Sequence, residues 1–336
     1  MSSASVQRVN WFNETGILMV SGDYSALVLP QRGANLIELK NSKYEADILR
    51  HPQDFEAYMK SPALYGIPVL FPPNRIEDGT FEFDGRKYEF PINEASTNNH
   101  LHGFLNSVEW DVEEMYVDNG SDAIVALSYK ANPSSYFYKY YPHEFIITIK
   151  YVLNNDGLLQ EVTIKNTGSL TMPVGLGFHT AINIPFHEGS TKEDYRFRLT
   201  VDGRWELNDR MLPTGNKLPL NEIETGFVKD GILPIEHPFD NHYNAAPMKI
   251  DNTVKNAAVI EDLKKNTRVV YEVGESYKHW MVYNGLANRK DFICPEPQTW
   301  LVNAPNSKLP VEITGLIALK PDEVWTDTCR IYIENR

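Results

Sequence analysis

Two imidazoles and one carboxylate stand out in this chain, each inside a short irregular segment. His102 lies in Asn98-Asn-His-Leu-His-Gly-Phe104, His179 in Gly175-Leu-Gly-Phe-His-Thr180, and Glu296 in Cys294-Pro-Glu-Pro-Gln-Thr-Trp300. They are 77 and then 117 residues apart, so only a fold that carries distant strands to one cleft can unite them. Acid/base chemistry near neutral pH draws on these two side-chain types, and a metal-free proton-transfer site is the first hypothesis they raise.

Each residue has a plainer reading beside the chemical one. The prolines flanking Glu296 remove two backbone donors and favour extended chain, which predicts a carboxylate held at a strand end; the alternative is a solvated edge glutamate. His179, between Gly175-Leu-Gly-Phe and Ile182-Asn-Ile-Pro, reads as the end of a strand entering a buried turn, or as a core histidine with its hydrogen bonds met. His100 and His102 form a His-x-His pair. On a strand these would share a face, an arrangement also used for metal sites. A carboxylate at cupin-like spacing is missing, because Asn106 and Ser107 stand four and five residues on and the first acid is Glu109. No metal and no cofactor are therefore expected, and His100 is assigned to packing or support. Cys294 reads as a small buried hydrophobe.

The elements that must position these groups are β-strands. Period-2 patterns rich in β-branched and aromatic residues run the length of the chain, closed by Asn, Asp or Gly. Thr80–Phe83, Asp84-Gly85 and Arg86–Phe90 predict a tight hairpin. Phe145–Leu153 and Leu158–Lys165 around Asn154-Asn-Asp-Gly157 predict a longer one. Further strands are expected at Ala26–Leu29, Ala123–Tyr129, Val269–Val273, Val311–Leu319 and Arg330–Glu334, with few short helices, the best signal being Asp54–Met59 stopped by Ser61-Pro62. Pro and Gly never concentrate into a linker and no repeat is found, so residues 1–336 are read as one all-β domain. The aromatic run Tyr136–Tyr141 is assigned to packing on a sheet.

The order of the segments resembles the aldose 1-epimerase (galactose mutarotase) family. Gly66-Ile-Pro-Val-Leu-Phe-Pro-Pro-Asn-Arg-Ile76 with Asp78-Gly79 is similar to that family's arginine segment, and Asn99-His-Leu-His-Gly103 to its first histidine segment. Asn166 through Asn183 is similar to the stretch leading to the second histidine, Phe239-Asp-Asn-His-Tyr243 to a substrate-binding aspartate segment, and Pro295-Glu-Pro-Gln-Thr299 to the catalytic glutamate segment. The resemblance implies a large antiparallel β-sandwich of the galactose mutarotase type and interconversion of the anomers of a free sugar. By position it implies His179 as general acid for the ring oxygen, Glu296 as general base for the anomeric hydroxyl, His102 as a second donor, and Arg75 and Asp240 as hydroxyl-holding groups. Arg75 could otherwise pair with Glu77 or Asp78 on the surface, and Asp240 could cap a turn. Ala181 stands where the family commonly has an aromatic residue. Burial of His179 beside a carboxylate is expected to hold it partly charged. Trp280, Tyr283 and Trp300 could stack on a sugar or pack in the core.

Bulk composition narrows the partners. With 45 acidic against 32 basic residues and a formal charge of -13, the chain is unsuited to nucleic acid or an anionic membrane. Two cysteines and an amino terminus without signal-peptide features point to the cytoplasm, and no apolar run is long enough to span a bilayer. A monomer or homodimer acting on a small sugar is expected. The rival functions are a hexose-6-phosphate 1-epimerase, for which the segment after His102 lacks an expected arginine, and a non-catalytic sugar-binding protein on the same scaffold.

Overall fold

The computed structural model describes residues 4–287 and 291–336. Every ladder between its described strands is antiparallel, as the hairpin-rich sequence predicts. A nine-stranded sheet is built around Asp122–Ala131, Phe145–Asn154, Gly157–Asn166, Val324–Asn335, Thr267–Val273 and Thr253–Asp262 in that spatial order. An eight-stranded sheet contains Val201–Leu207, Asp240–Ala245, His279–Tyr283, Phe292–Gln298, Gly177–Phe178 and Val69–Leu70. A five-stranded sheet formed by the first 47 residues completes the layers.

The two large sheets bury one another's apolar faces. Ile147, Ile149, Val162, Ile164 and Tyr271 from one, and Tyr243, Trp280, Val282 and Ile293 from the other, belong to one hydrophobic cluster. Tyr271 and Trp280 meet edge-on at 5.9 Å, and Trp280 Nε1 donates to Asn256 Oδ1 at 2.8 Å. Successive side chains on a strand point to opposite faces. With Trp280 and Val282 committed to this core, His279, Met281 and Tyr283 must face the other way. The register carries that face sideways: Asp240 lies opposite Tyr283, His242 opposite Met281, and Met281 opposite Glu296. The site-bearing face is thus the back of the sheet whose front builds the core.

Local expectations are met at both hairpins. Asp84 and Gly85 both take positive φ, 50° and 71°, in the turn between Thr80–Phe83 and Arg86–Glu89. The short helix spans Phe55–Lys60, with the Asp54 side chain accepting from Ala57 N at 2.8 Å. Val311–Leu319 differs from the expected strand: Val311–Thr314 is a helical turn and only Ile317–Leu319 is extended. Pro310 supplies the start, Thr314 N and Gly315 N close the turn onto Pro310 O and Val311 O, and Gly315 ends it at φ 69°. These caps override the β-branched composition. Phe137 and Tyr141 are buried in the core and Tyr140 packs against it, whereas Tyr136 is exposed, so the aromatic run packs in part. Trp280 and Trp300 are likewise core residues. No helix among the described residues is long and apolar enough to cross a membrane.

Candidate active site

Glu296 sits inside a central strand, not at a strand end. All seven residues of Phe292–Gln298 are buried, an unusual place for Pro295 and Pro297 because neither can donate to a ladder. The neighbouring chain explains the tolerance. It pairs through Gly177 with Gln298 and again through Ile182 and Asn183 with Ile293 and Phe292, and between those points it leaves the ladder. Thr299 N donates to Leu176 O at 2.8 Å, so by alternation the nitrogens of residues 295 and 297 face that same side. Proline costs nothing where no ladder bond is on offer. His179 lies in the detour, anchored by its own N–H to Pro68 O at 3.0 Å, with Ala181 N bound to Gly66 O at 2.9 Å. The detour sets His179 Nε2 3.1 Å from Glu296 Oε1.

His102 arrives from another direction. The strand Asn99–Leu101 pairs with Arg75–Glu77 and ends before His102, whose φ is +65°. His100 and His102 therefore do not share a strand face as the His-x-His spacing predicts. A left-handed non-glycine residue costs roughly 1–2 kcal/mol, and the surroundings enforce it: His102 N donates to Asn74 O at 3.0 Å and Phe104 N to Phe71 O at 2.9 Å. Gly103 makes the approach possible, since a Cβ there would lie 2.1 Å from Phe71 O. His102 and His179 then meet edge-to-face at 5.5 Å. His100 turns away, its Nδ1 on Pro91 O at 2.7 Å and its ring against Phe90 and Phe104, which is the packing role assigned to it.

Arg75, His102, His179, Asp240 and Glu296 all line one cleft of about 350 Å³, joined by Asn74 and by an apolar arc of Leu64, Leu101, Met281, Tyr283 and Leu286. That volume lies at the small end of ligand sites. Asp240 begins a strand and faces the cleft instead of capping a turn. Arg75 does not pair with Glu77 or Asp78; both bind Arg210, at 3.0 and 2.7 Å. Its partner is Glu94, a residue without any local sequence signal. Arg75 Nε reaches Glu94 Oε2 at 2.9 Å and Nη2 reaches Oε1 at 2.8 Å, with Thr97 and Asn99 also donating to that carboxylate. Burial opposes ionisation of Glu94, but the hydrogen bonds from Arg75 and Thr97 outweigh it and hold the carboxyl below its usual range.

Electrostatics reverse one expectation. Burial pushes His179 down to about 4, so this imidazole is not held partly charged. Burial, reinforced by the nearby Asp240, pushes Glu296 well above the ordinary carboxyl range against the pull of Arg75. Burial also raises Asp240 and, with the neighbouring His179, depresses His102. Burial thus disfavours charge on both partners of the 3.1 Å contact. Glu296 Oε2 is buried without a hydrogen-bond partner among the described residues, and such an atom gains from an incoming hydroxyl donor. Imidazole and carboxyl so placed can pass a proton each to and from one ligand. Among the described residues, His179, Cys294 and Glu296 form the one group of three donors close enough to share a metal ion, within 4.8 Å of one another.

Comparison with known proteins adds an independent finding. A family model described as aldose 1-epimerase matches residues 17–332. A crystal structure of a galactose mutarotase-like protein from Clostridium acetobutylicum superposes with a TM-score of 0.96 at 36% identity, covering 99% of each chain. An uncharacterized protein of Escherichia coli, YihR, is 26% identical over 299 residues, 87% of this chain and 86% of that protein. Human galactose mutarotase is 26% identical over 212 residues, which make up 62% of this chain and 58% of the human protein.

Proposed function

This chain belongs to the aldose 1-epimerase family, and we propose that it interconverts the α and β anomers of a free aldose by opening and reclosing the sugar ring. The observation that carries this reading is the buried His179–Glu296 contact at 3.1 Å in a cleft shared with Arg75, His102 and Asp240. Ring opening requires a proton delivered to the ring oxygen and one removed from the anomeric hydroxyl. His179 supplies the first and Glu296 takes the second; after rotation about the bond from the carbonyl carbon to its neighbour, both transfers reverse. A single proton on the pair suffices, because moving it from Glu296 to His179 gives the imidazolium and carboxylate the reaction starts from. The Arg75 cation favours that carboxylate. His102 donates toward the ring-oxygen side, and Arg75 and Asp240 hold hydroxyls.

The charge of the cleft supports a neutral sugar. Arg75 is the only lysine or arginine among the described lining residues, and Glu94 already occupies its Nε and Nη2. A 6-phosphate would bring two negative charges to a cleft that also holds Asp240, with no free cation among the described lining residues to receive them. The test is polarimetry of glucose, galactose and other aldoses, alongside their 6-phosphates, with the wild type and Glu296→Gln. Accelerated mutarotation of a free aldose, lost in the variant while sugar binding persists, is the expected result. A strong preference for the phosphate, or binding without acceleration by the wild type, overturns it.

A further inference from the structure

We infer that the cleft also binds zinc, through His179, Cys294 and Glu296, as an inhibitory site that competes with the sugar. The strand supplies two of the donors at once: residues 294 and 296 alternate with the core-facing positions, so the thiol and the carboxylate share the cleft face. His179 supplies the third from the opposing detour at 3.1 Å, and the three donor atoms lie within 4.8 Å of one another. The second observation is Glu296 Oε2, buried and without a partner among the described residues, a lone-pair site that a cation satisfies. Ala181, which packs against Cys294, leaves the thiol a small neighbour on that side.

The donor set selects the metal. Nitrogen, sulfur and oxygen ligands at bond lengths of roughly 2.0–2.3 Å suit tetrahedral zinc, whose ligand atoms stand about 3.3–3.6 Å apart. The His179–Glu296 edge is within a few tenths of that, and the set, now spread over no more than 4.8 Å, has to draw in around the ion. Magnesium and calcium, which want oxygen alone, find one suitable donor. Binding exchanges the Cys294 thiol proton and the proton shared by His179 and Glu296 for the ion, leaving a fourth position toward the cleft for water. It also occupies both groups assigned to proton transfer, so bound zinc and productive sugar exclude each other.

Binding can be read without any turnover by titrating the full chain with Co²⁺, whose bond to a thiolate gives a near-ultraviolet charge-transfer band. The band is expected in the wild type, lost in Cys294→Ser and Cys294→Ala, and displaced by Zn²⁺; the other cysteine, Cys329, is buried in the inter-sheet core. The inhibitory half rests on the epimerase reading: Zn²⁺ should raise the KM for the sugar without lowering kcat, millimolar Mg²⁺ should not, and Cys294→Ser should weaken Zn²⁺ inhibition by at least about tenfold, the scale of losing even a supporting partner of a ligand. A folded wild type without the band, or unchanged inhibition in Cys294→Ser, overturns the site. A band without mutarotation of any aldose leaves the metal site standing and removes the epimerase reading.

Discussion

His179 meets Glu296 at 3.1 Å and His187 meets Asp262 at 2.9 Å, and all four side chains are almost fully buried. Residue types and separations nearly coincide; the remaining lone pairs do not. Asp262 Oδ1 accepts from the backbone N–H groups of Lys264 and Lys265 at 2.9 and 3.0 Å, and its other oxygen holds His187. Burial alone would raise this carboxyl, but its hydrogen bonds keep it below the ordinary range. Glu296 has one histidine, one unpartnered oxygen and a carboxyl pushed well up by burial. A saturated carboxylate is a fixture of the fold, whereas one left short of donors stays ready to bind and move a proton.

Exchanging the two pairs' properties by mutation should separate chemistry from stability. Glu296→Gln should lower kcat for mutarotation by about 10²- to 10⁴-fold, the usual weight of a general base, with the denaturation midpoint nearly unchanged. Asp262→Ala should do the reverse. It strands His187 and two backbone donors, and breaking a buried pair costs about 3–5 kcal/mol, visible in urea unfolding, while the folded variant keeps its kcat. Loss of stability in the glutamate variant, or loss of turnover in the folded aspartate variant, breaks the contrast.

The pH dependence sharpens it further. If the His179–Glu296 pair works with one proton, activity falls on the acid side as His179 takes a second near 4, and on the alkaline side only as the raised Glu296 carboxyl gives up the shared one. A flat kcat/KM from about pH 5 through neutrality is expected, with an acid limb losing about tenfold per pH unit; a limb centred near 6.5 would mean that His179 titrates as a free imidazole. Stability should follow a different curve. Burial lowers His100, His102, His143, His179, His187, His242 and His279 below the unfolded value of 6.5. Between 6.5 and about 4 the unfolded chain binds protons that the native one refuses, so stability declines as pH falls through that window. Thermal melts at fixed ionic strength, run beside the activity profile, should show Tm dropping where kcat/KM is still flat.

The candidate site was legible in outline because its residue types are rare together and its segments occur in order; all five expected side chains line one cleft. The hairpin at Asp84-Gly85 and the cap at Asp54 were legible because their physics is local. What stayed hidden is long-range. The seat of Glu296 in mid-strand depends on where a neighbouring strand leaves the ladder, and the proton count of His179 depends on burial that no spacing encodes. The left-handed φ of His102, which undoes the His-x-His face, is imposed by contacts with residues 71–74. Glu94 follows the same rule: it stands 19 residues from Arg75 in an irregular segment, and only the fold brings the two together.

Glu94 offers the smallest and most specific test, because it extends the contrast between saturated and unsaturated carboxylates to a third case. Like Asp262 it is saturated, with Arg75, Thr97 and Asn99 on its oxygens, yet it borders the cleft chemistry through Arg75. On the epimerase reading it aims the guanidinium, since Arg75 Nε and Nη2 are fixed on it and the remaining nitrogen would be left for a hydroxyl. Glu94→Gln keeps the shape but gives up the charge-assisted pair, whose hydrogen bonds are each worth about 1.5–3 kcal/mol. Because the sugar's hydroxyls are held alike before and during ring opening, uniform binding is lost and the KM should rise by about tenfold with kcat almost unchanged. A fall in kcat with constant KM would instead put Glu94 among the groups that stabilise the opening ring, and the saturated carboxylate would then be no mere fixture.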